Sequence, residues 1–169
     1  TDGDLAGALG QLDFDILLSV ANLRLIPEQI LAMADPAVNF HDGPLPGYAG
    51  LNAPNWAILD GRNEHAITWH LMDSGVDTGD IISTARFPIE PTDTAFSLNA
   101  RCYEKALETF PAVVDALLGD DLRPEPQTGT GRRVHRRHER PARASLLDPS
   151  RPAAELAAVA RALDVGPQR

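Results

Sequence analysis

The chain has 169 residues, 43% apolar and 23% charged, with a formal net charge of −9, which fits one globular domain with at most a short appendage. So acidic a balance excludes the overall basic footprint of a nucleic-acid binder, and the single cysteine, Cys102, excludes a disulfide framework within the chain. No apolar run reaches the roughly 20 residues of a membrane span, and Thr1-Asp2-Gly3-Asp4 has neither the basic nor the apolar region of a signal peptide, so a cytoplasmic protein is expected.

Residues 14–20 form a short apolar run with β-branched members (Phe14, Ile16, Leu17, Leu18, Val20), the pattern of a strand buried on both faces. Pro27 opens a short helix over 28–34 with Glu28 in its first turn, and Asp35-Pro36 stops it, because the residue before proline avoids the helical region. A second strand follows at 37–40. Strand, helix and strand in so short a space predict a βαβ unit and a parallel sheet.

Residues 41–50 hold three glycines and two prolines and read as a shaped loop. A helix is expected over 52–59, ended by Gly61, then a strand over 65–72, a turn-rich loop over 73–79 and a strand over 81–89. The longest helix, about 95–118, is expected to start from Thr92 or Asp93 as N-cap. Phe96, Tyr103, Leu107, Phe110, Val114 and Leu117 recur on it at intervals of three and four, a stripe expected to face the sheet. Cys102 on the same helix is expected to be a half-buried small hydrophobe and not a reactive thiol. Residues 123–143, rich in Pro, Gly and Arg, read as a linker or extended loop, and a final helix capped by Ser150 runs to about Leu163. Only two strands precede the loop-rich centre, so the opening strands of the sheet are expected to be missing.

Asn39 and His41 lie two apart at the C-terminal end of a parallel strand, so they share a side at the edge where open α/β sheets bind ligands. An amide donor beside an imidazole suits a developing oxyanion. Asp77, on a glycine-flanked loop, would favour the charged imidazole. From the residues alone a plainer account stays open: a buried strand-end asparagine and an unrelated loop histidine. His70 also ends a strand, where a histidine commonly satisfies a backbone group. His41, His70 and Asp77 lack a compact zinc signature. The loop 43–50 lacks the patterns of a phosphate cradle and reads as a wall of the site. Six arginines (Arg132, Arg133, Arg136, Arg137, Arg140, Arg143) and Glu139 make 132–143 net +5 in an acidic chain, either a solvated linker or a docking patch for a phosphate-bearing partner.

The segment Asn39-Phe40-His41-Asp42-Gly43-Pro44-Leu45-Pro46-Gly47-Tyr48-Ala49-Gly50 resembles the N-x-H…LPxYxG segment of the folate-dependent formyltransferase family, which includes methionyl-tRNA formyltransferase and glycinamide ribonucleotide transformylase. Trp56-Ala57-Ile58, Thr68-Trp69-His70 and Asp77-Thr78-Gly79-Asp80-Ile81 continue the likeness, which extends from about Phe14 to Leu118. The resemblance implies an α/β formyltransferase fold, Rossmann-like, with an open, mostly parallel sheet flanked by helices, lacking its N-terminal strands and carrying a short helical C-terminal extension. It divides the chain into a catalytic domain over 1–122, a linker over 123–144 and the start of a C-terminal subdomain over 145–169. It also implies 10-formyltetrahydrofolate as formyl donor, no metal, and Asn39, His41 and Asp77 as catalytic residues, with His70 supporting Asp77. Leu23, Arg24, Leu25 and Ile26 would hold the donor's pterin, with Asp73, Val76 and Asp77 closing the pocket.

Most relatives have a serine and a second leucine after the histidine, where this chain has Asp42-Gly43-Pro44. That variant, with Ser97-Leu98-Asn99-Ala100, is similar to formyltransferase domains of nonribosomal peptide assembly lines and to hydroxyornithine formyltransferases. It implies an amine acceptor of amino-acid type, carried on a partner protein or free. Methionyl-tRNA, the one nucleic-acid partner this allows, remains a further acceptor. Two other activities fit the same residues: hydrolysis of the formyl donor, and folate binding without turnover.

Overall fold

The computed structural model describes residues 2–119, 122–129, 131–140 and 147–166. In chain order the elements are α1 (Asp2–Leu9), β1 (Leu17–Ser19), α2 (Glu28–Leu31), β2 (Ala37–His41), β3 (Ala49–Gly50), α3 (Ala53–Leu59), β4 (Glu64–Leu71), β5 (Ile81–Pro88), α4 (Ala95–Leu118), β6 (Val134–His135) and α5 (Ala153–Leu163). The opening stretch is a helix of eight residues, in which Leu5, Ala6, Ala8 and Leu9 outweigh Gly3 and Gly7.

Four strands form one sheet in the order β1-β2-β4-β5. β1 and β2 pair in parallel through the short α2, as a βαβ unit requires. The expectation of a mostly parallel sheet needs correction, because β2–β4 and β4–β5 are both antiparallel. After β2 the chain turns back through a loop and α3 and enters β4 from the opposite end, so the sheet is mixed. β1 is its edge, and Leu18 and Val20 there are exposed.

Alternation along the strands separates the two faces of the sheet. Val38, Phe40, Ile67 and Trp69 point into the main core, where α4 covers them with Leu98, Cys102, Ala106 and Val113. Phe40 and Trp69 pack with ring centroids 5.2 Å apart, and the Trp69 indole N–H donates to Thr109 Oγ1 at 2.9 Å. The fully buried residues of α4 are therefore Ala95, Leu98, Cys102, Ala106 and Val113, and of the bulky stripe that periodicity suggested Phe110 and Leu117 pack at the edge of the core. Phe96 is 52% exposed and Leu107 75%. Small side chains let the helix axis approach a sheet already filled by two large aromatic rings. The N-cap is Thr94, one residue beyond the expected pair, closing a capping box with Ser97. Cys102 is fully buried, and burial pushes its thiol well above the ordinary range, so it is inert.

α5 docks on α3 and on the start of α4: Asn55 Nδ2 donates to Ala162 O at 2.7 Å and Arg161 Nη1 to Asp93 O at 3.0 Å. Its N-cap is Pro152, because Ser150 instead gives its hydroxyl to Asp148, 2.6 Å away. The arginine-rich stretch read as a linker or extended loop is largely irregular and exposed where it is described, but it is tied to the domain at particular points. Glu125 bridges Ile81, and Val134–His135 pairs in parallel with Ala49–Gly50, so that part of the shaped loop is strand β3. His135 stacks on Trp56 with ring centroids 4.4 Å apart. Composition reports local stiffness and solubility, and cannot show that distant partners will bind a segment. Arg143, Ser145 and the ends of the expected linker and extension lie partly outside the described residues. Among the described residues no helix is long and apolar enough to cross a membrane.

The two faces of α4 separate in stability measurements. Leu98→Ala is expected to cost about 2–5 kcal/mol and Leu107→Ala less than about 0.5 kcal/mol, read from urea unfolding midpoints. Equal losses would contradict this assignment of the buried face.

Candidate active site

The strand register assembles the site. Antiparallel pairing sets Asn39 opposite His70 and His41 opposite Thr68, so all four side chains share the face turned away from α4. Asn39 Nδ2 lies 3.2 Å from His70 Nε2, and His70 Nδ1–H donates to Leu71 O at 2.7 Å. That second bond occupies Nδ1 and leaves Nε2 facing both the Asn39 amide and the Asp77 carboxylate. The β4–β5 register shifts between Trp69 and His70, an irregularity that re-aims a strand-end side chain.

His41 Nε2–H donates to Tyr48 O at 2.6 Å, so Nδ1 is the ring nitrogen left for chemistry. It faces Asp77 Oδ2 at 3.6 Å and Asp42 Oδ1 at 3.9 Å. Asp77 has φ +48°, a left-handed backbone that a non-glycine residue adopts only when its surroundings hold it there. Gln127 Nε2 and Arg132 Nη1 donate to its carbonyl at 2.9 and 3.0 Å, and Arg132 also holds the carbonyl of Val76. Its carboxylate accepts the Gly50 N–H at Oδ2, 2.7 Å away, and its Oδ1 lies 3.5 Å from His70 Nε2. Burial works against the charge on Asp77, but the His70 hydrogen bond, the His41 charge and the Gly50 N–H outweigh it and hold the carboxyl below its usual range. Gly50 has φ +89°, and a Cβ there would collide with the His135 carbonyl. Only glycine lets β3 and β6 meet behind Asp77.

These groups lie at one end of a cleft of about 730 Å³. The expected pterin-binding residues Leu23, Arg24, Leu25 and Ile26 form one wall, and 73–77 form another. Asn22 fixes the first wall by clasping the backbone of Arg24 through bonds of 2.8 and 3.0 Å. Asp73 Oδ1 accepts from Gly75 N at 2.9 Å and from the Thr78 hydroxyl, which shapes the second. Sequence reasoning missed Gln127, Arg132 and the Gly50 N–H, all of which act on Asp77 from afar, and it left Asp42 without a role. Among the described residues no three His, Cys, Asp or Glu side chains are arranged to hold a metal ion.

A family model described as formyl transferase matches residues 1–114. The chain belongs to the formyl transferase family. It is 34% identical over 127 residues to a methionyl-tRNA formyltransferase of Synechococcus sp. (strain JA-3-3Ab), covering 75% of this chain and 39% of that protein. It is 38% identical over 103 residues to a GDP-perosamine N-formyltransferase of Brucella melitensis biotype 1, covering 60% of this chain and 40% of the relative. The chain thus spans about two fifths of the curated relatives it matches. Among solved structures, an N-formyltransferase from Helicobacter canadensis, in complex with folinic acid and dTDP-3-aminofucose, superposes with TM-score 0.80 at 24% identity. It covers 94% of this chain and 58% of its own. The phosphoribosylglycinamide formyltransferase of Streptococcus pneumoniae superposes with TM-score 0.64 at 28% identity, over 70% of this chain and 66% of its own.

Behind the formyl transferase loop 41–48 sits His65, whose Nε2–H donates to Asp42 O at 2.8 Å while Nδ1 is buried without a partner. Burial pulls its pKa down from 6.5 to about 4. The unfolded chain therefore takes up a proton near pH 6.5 that the folded chain refuses until about pH 4. Stability from this residue is complete above pH 6.5 and falls as pH drops towards 4, by roughly 3 kcal/mol in all. His65→Gln keeps the donor and is expected to flatten the urea midpoint between pH 7 and 5. A midpoint that falls as steeply as in wild type would show that another group dominates.

Proposed function

We propose that this chain is the catalytic part of a cytoplasmic enzyme that transfers the formyl group of 10-formyltetrahydrofolate to the amine of an amino-acid-type acceptor. The observation that carries the reading is the convergence of Asn39, His41 and Asp77 at one end of a cleft with otherwise largely apolar walls. Its volume lies within the 300–1,000 Å³ usual for cofactor-sized ligands. Leu23, Leu25, Ile26, Leu31, Met72 and Val76 supply apolar faces for a flat bicyclic ring. Solved relatives in complex with folinic acid and with 5-N-formyl-tetrahydrofolate support the same donor class.

In this reading the amine attacks the formyl carbon and negative charge develops on the formyl oxygen. Asn39 and His41 stabilise that oxygen, Asp77 orients His41 and relays the amine proton, and when the adduct collapses the bond from carbon to the donor's N10 breaks, its electron pair stays on N10 and the proton passes there. His70 couples Asn39 to Asp77 and so fixes both side chains. The motif around Asp42-Gly43-Pro44 favours a carrier-bound aminoacyl group or hydroxyornithine as acceptor, whereas curated relatives are named for methionyl-tRNA and GDP-perosamine. Arg136 and Arg137, on the cleft wall beside Arg132, suit an acceptor that arrives attached to phosphate. We take 1–122 as the catalytic body, 123–144 as a strap bound across it, and 145–169 as the beginning of a C-terminal subdomain.

The test is turnover of 10-formyltetrahydrofolate with four acceptors: an aminoacyl-pantetheine thioester, N-hydroxyornithine, methionyl-tRNA and a nucleotide-linked amino sugar. Asn39→Ala and His41→Ala are each expected to lower kcat by about 10²–10³ with an unchanged circular dichroism spectrum. Wild-type turnover in either variant contradicts the reading, and formate release that needs no amine identifies a hydrolase instead.

A further inference from the structure

The backbone from Tyr48 to Leu51 is bonded on two sides. On the inner side the Tyr48 carbonyl accepts from His41 Nε2–H at 2.6 Å, and the Gly50 N–H donates to Asp77 Oδ2 at 2.7 Å. One short segment therefore holds both the imidazole and the carboxylate of the site. Backbone N–H groups alternate in direction along a strand, and the two on the outer side belong to the strap. Ala49 N–H donates to Arg133 O at 3.0 Å and Leu51 N–H to His135 O at 2.9 Å. Among the described residues of 131–140, His135 is the only buried one. It is 1% exposed, and its ring stacks on Trp56 and on Tyr48 with centroids 4.4 and 5.9 Å away.

We propose that His135 is a positioning residue for formyl transfer, a role that rests on the activity proposed above. Its ring, seated on Trp56 and Tyr48, holds residues 48–51 where the Tyr48 carbonyl orients His41 and the Gly50 N–H meets Asp77. His135 acts through those two backbone groups and not by contact with the reacting atoms. A displacement of the segment by even about 1 Å would misplace both side chains together, and misplacement on that scale is costly to a reaction that depends on orientation.

Neither ring nitrogen of His135 has a hydrogen-bond partner among the described residues. An unpaired buried polar atom costs free energy, so the two aromatic contacts must outweigh that cost. The charged groups around the ring are Glu139, whose Oε2 stands 3.5 Å from Nδ1, Arg133 on the strap, and Asp60 at the end of α3. The Tyr48 hydroxyl is bonded to Asp60 and to Arg62. Burial, helped by Arg133, holds the imidazole pKa below its usual value, so the ring packs as a neutral aromatic. The Arg133 guanidinium, 5.0 Å from the Trp56 ring centroid, is a second attachment of the strap to the same stack. Loss of the stack would withdraw the Gly50 N–H, one of the groups that hold the Asp77 carboxyl low, and a carboxylate with one hydrogen bond fewer titrates at higher pH. The other titratable groups facing that carboxylate, His41, Asp42 and His70, belong to the sheet and the loop after β2 and are not substituted.

The test compares wild type with three variants. His135→Ala empties the slot, His135→Phe refills it with a flat ring that has no titrating nitrogen, and Arg133→Ala removes an exposed side chain from the same stack. Turnover is measured with 10-formyltetrahydrofolate and whichever of the four acceptors is formylated fastest. His135→Ala is expected to lose about 10²-fold in kcat with KM for the donor near wild type. The acidic limb of its kcat profile and the carbon-13 NMR titration of Asp77 should both move to higher pH. His135→Phe should recover most of the rate and return the limb to its wild-type position. If His135→Ala does not fold, Arg133→Ala decides, with a smaller loss and a limb displaced in the same direction. A lower urea midpoint with unchanged kcat and limb in the folded variants makes His135 a structural anchor only and overturns the proposal, as does a His135→Phe as slow as His135→Ala. Absence of transfer by wild type itself overturns the activity reading and this proposal with it.

Discussion

When β4 runs antiparallel to β2 in the register that sets His70 across from Asn39, one pairing decides both faces of the sheet. On one side it stacks Phe40 against Trp69 and gives α4 a floor to pack on. On the other it brings an amide and two imidazoles, remote in sequence, to the same strand ends. A slip of one residue would send every side chain to the opposite face, burying the polar groups under α4 and exposing the aromatic core. Core and site therefore specify the same register, and neither can drift without losing the other.

The remaining component, Asp77, depends on a different kind of constraint. It sits on a loop in a backbone conformation that costs of order 1 kcal/mol or more for a residue with a Cβ. The loop is held by side chains reaching in from beyond α4, Gln127 and Arg132, and by a backbone N–H from β3. The strap fixes the loop's backbone, while His70 and His41 of the sheet, with the Gly50 N–H, favour the charge on its carboxylate. Had Asp77 been left in a mobile loop facing water, the field on His41 would be screened and its direction lost.

Asn39 and His41 were legible in the sequence because the period of a strand is local: two residues apart means one face. The βαβ unit at the start and the extent of α4 were legible for similar reasons. The buried side of α4 was not, because periodicity finds a bulky stripe while packing against Trp69 and Phe87 selects a stripe of Ala95, Leu98, Cys102 and Ala106. The antiparallel pairing of β2 with β4 was hidden because a connection through a loop and α3 fits either direction, whereas the short loop from β4 to β5 allows only an antiparallel pair. His70 was visible as a strand-end histidine, yet its partner Asn39 is a matter of register across 31 residues. The irregular path of the strap was legible but its attachments were not: His135 is buried on Trp56 and Gln127 is bonded to a carbonyl 50 residues earlier, and no local pattern encodes either.

The parallel pairing of Ala49–Gly50 with Val134–His135 also orders events in time. Its two halves are separated by most of the described chain, and such non-local contacts form only after the intervening loop has been closed at an entropic cost. The sheet under α4 can condense from closer neighbours, with β4 and β5 joined by a single short loop. Gly50 can present its N–H to Asp77 in its final geometry only once the strap has arrived and fixed β3. The carboxylate on which the chemistry depends thus gets its final setting from a contact that closes later than the pairing of β4 with β5. The protein reaches a folded sheet before it reaches an organised reaction centre.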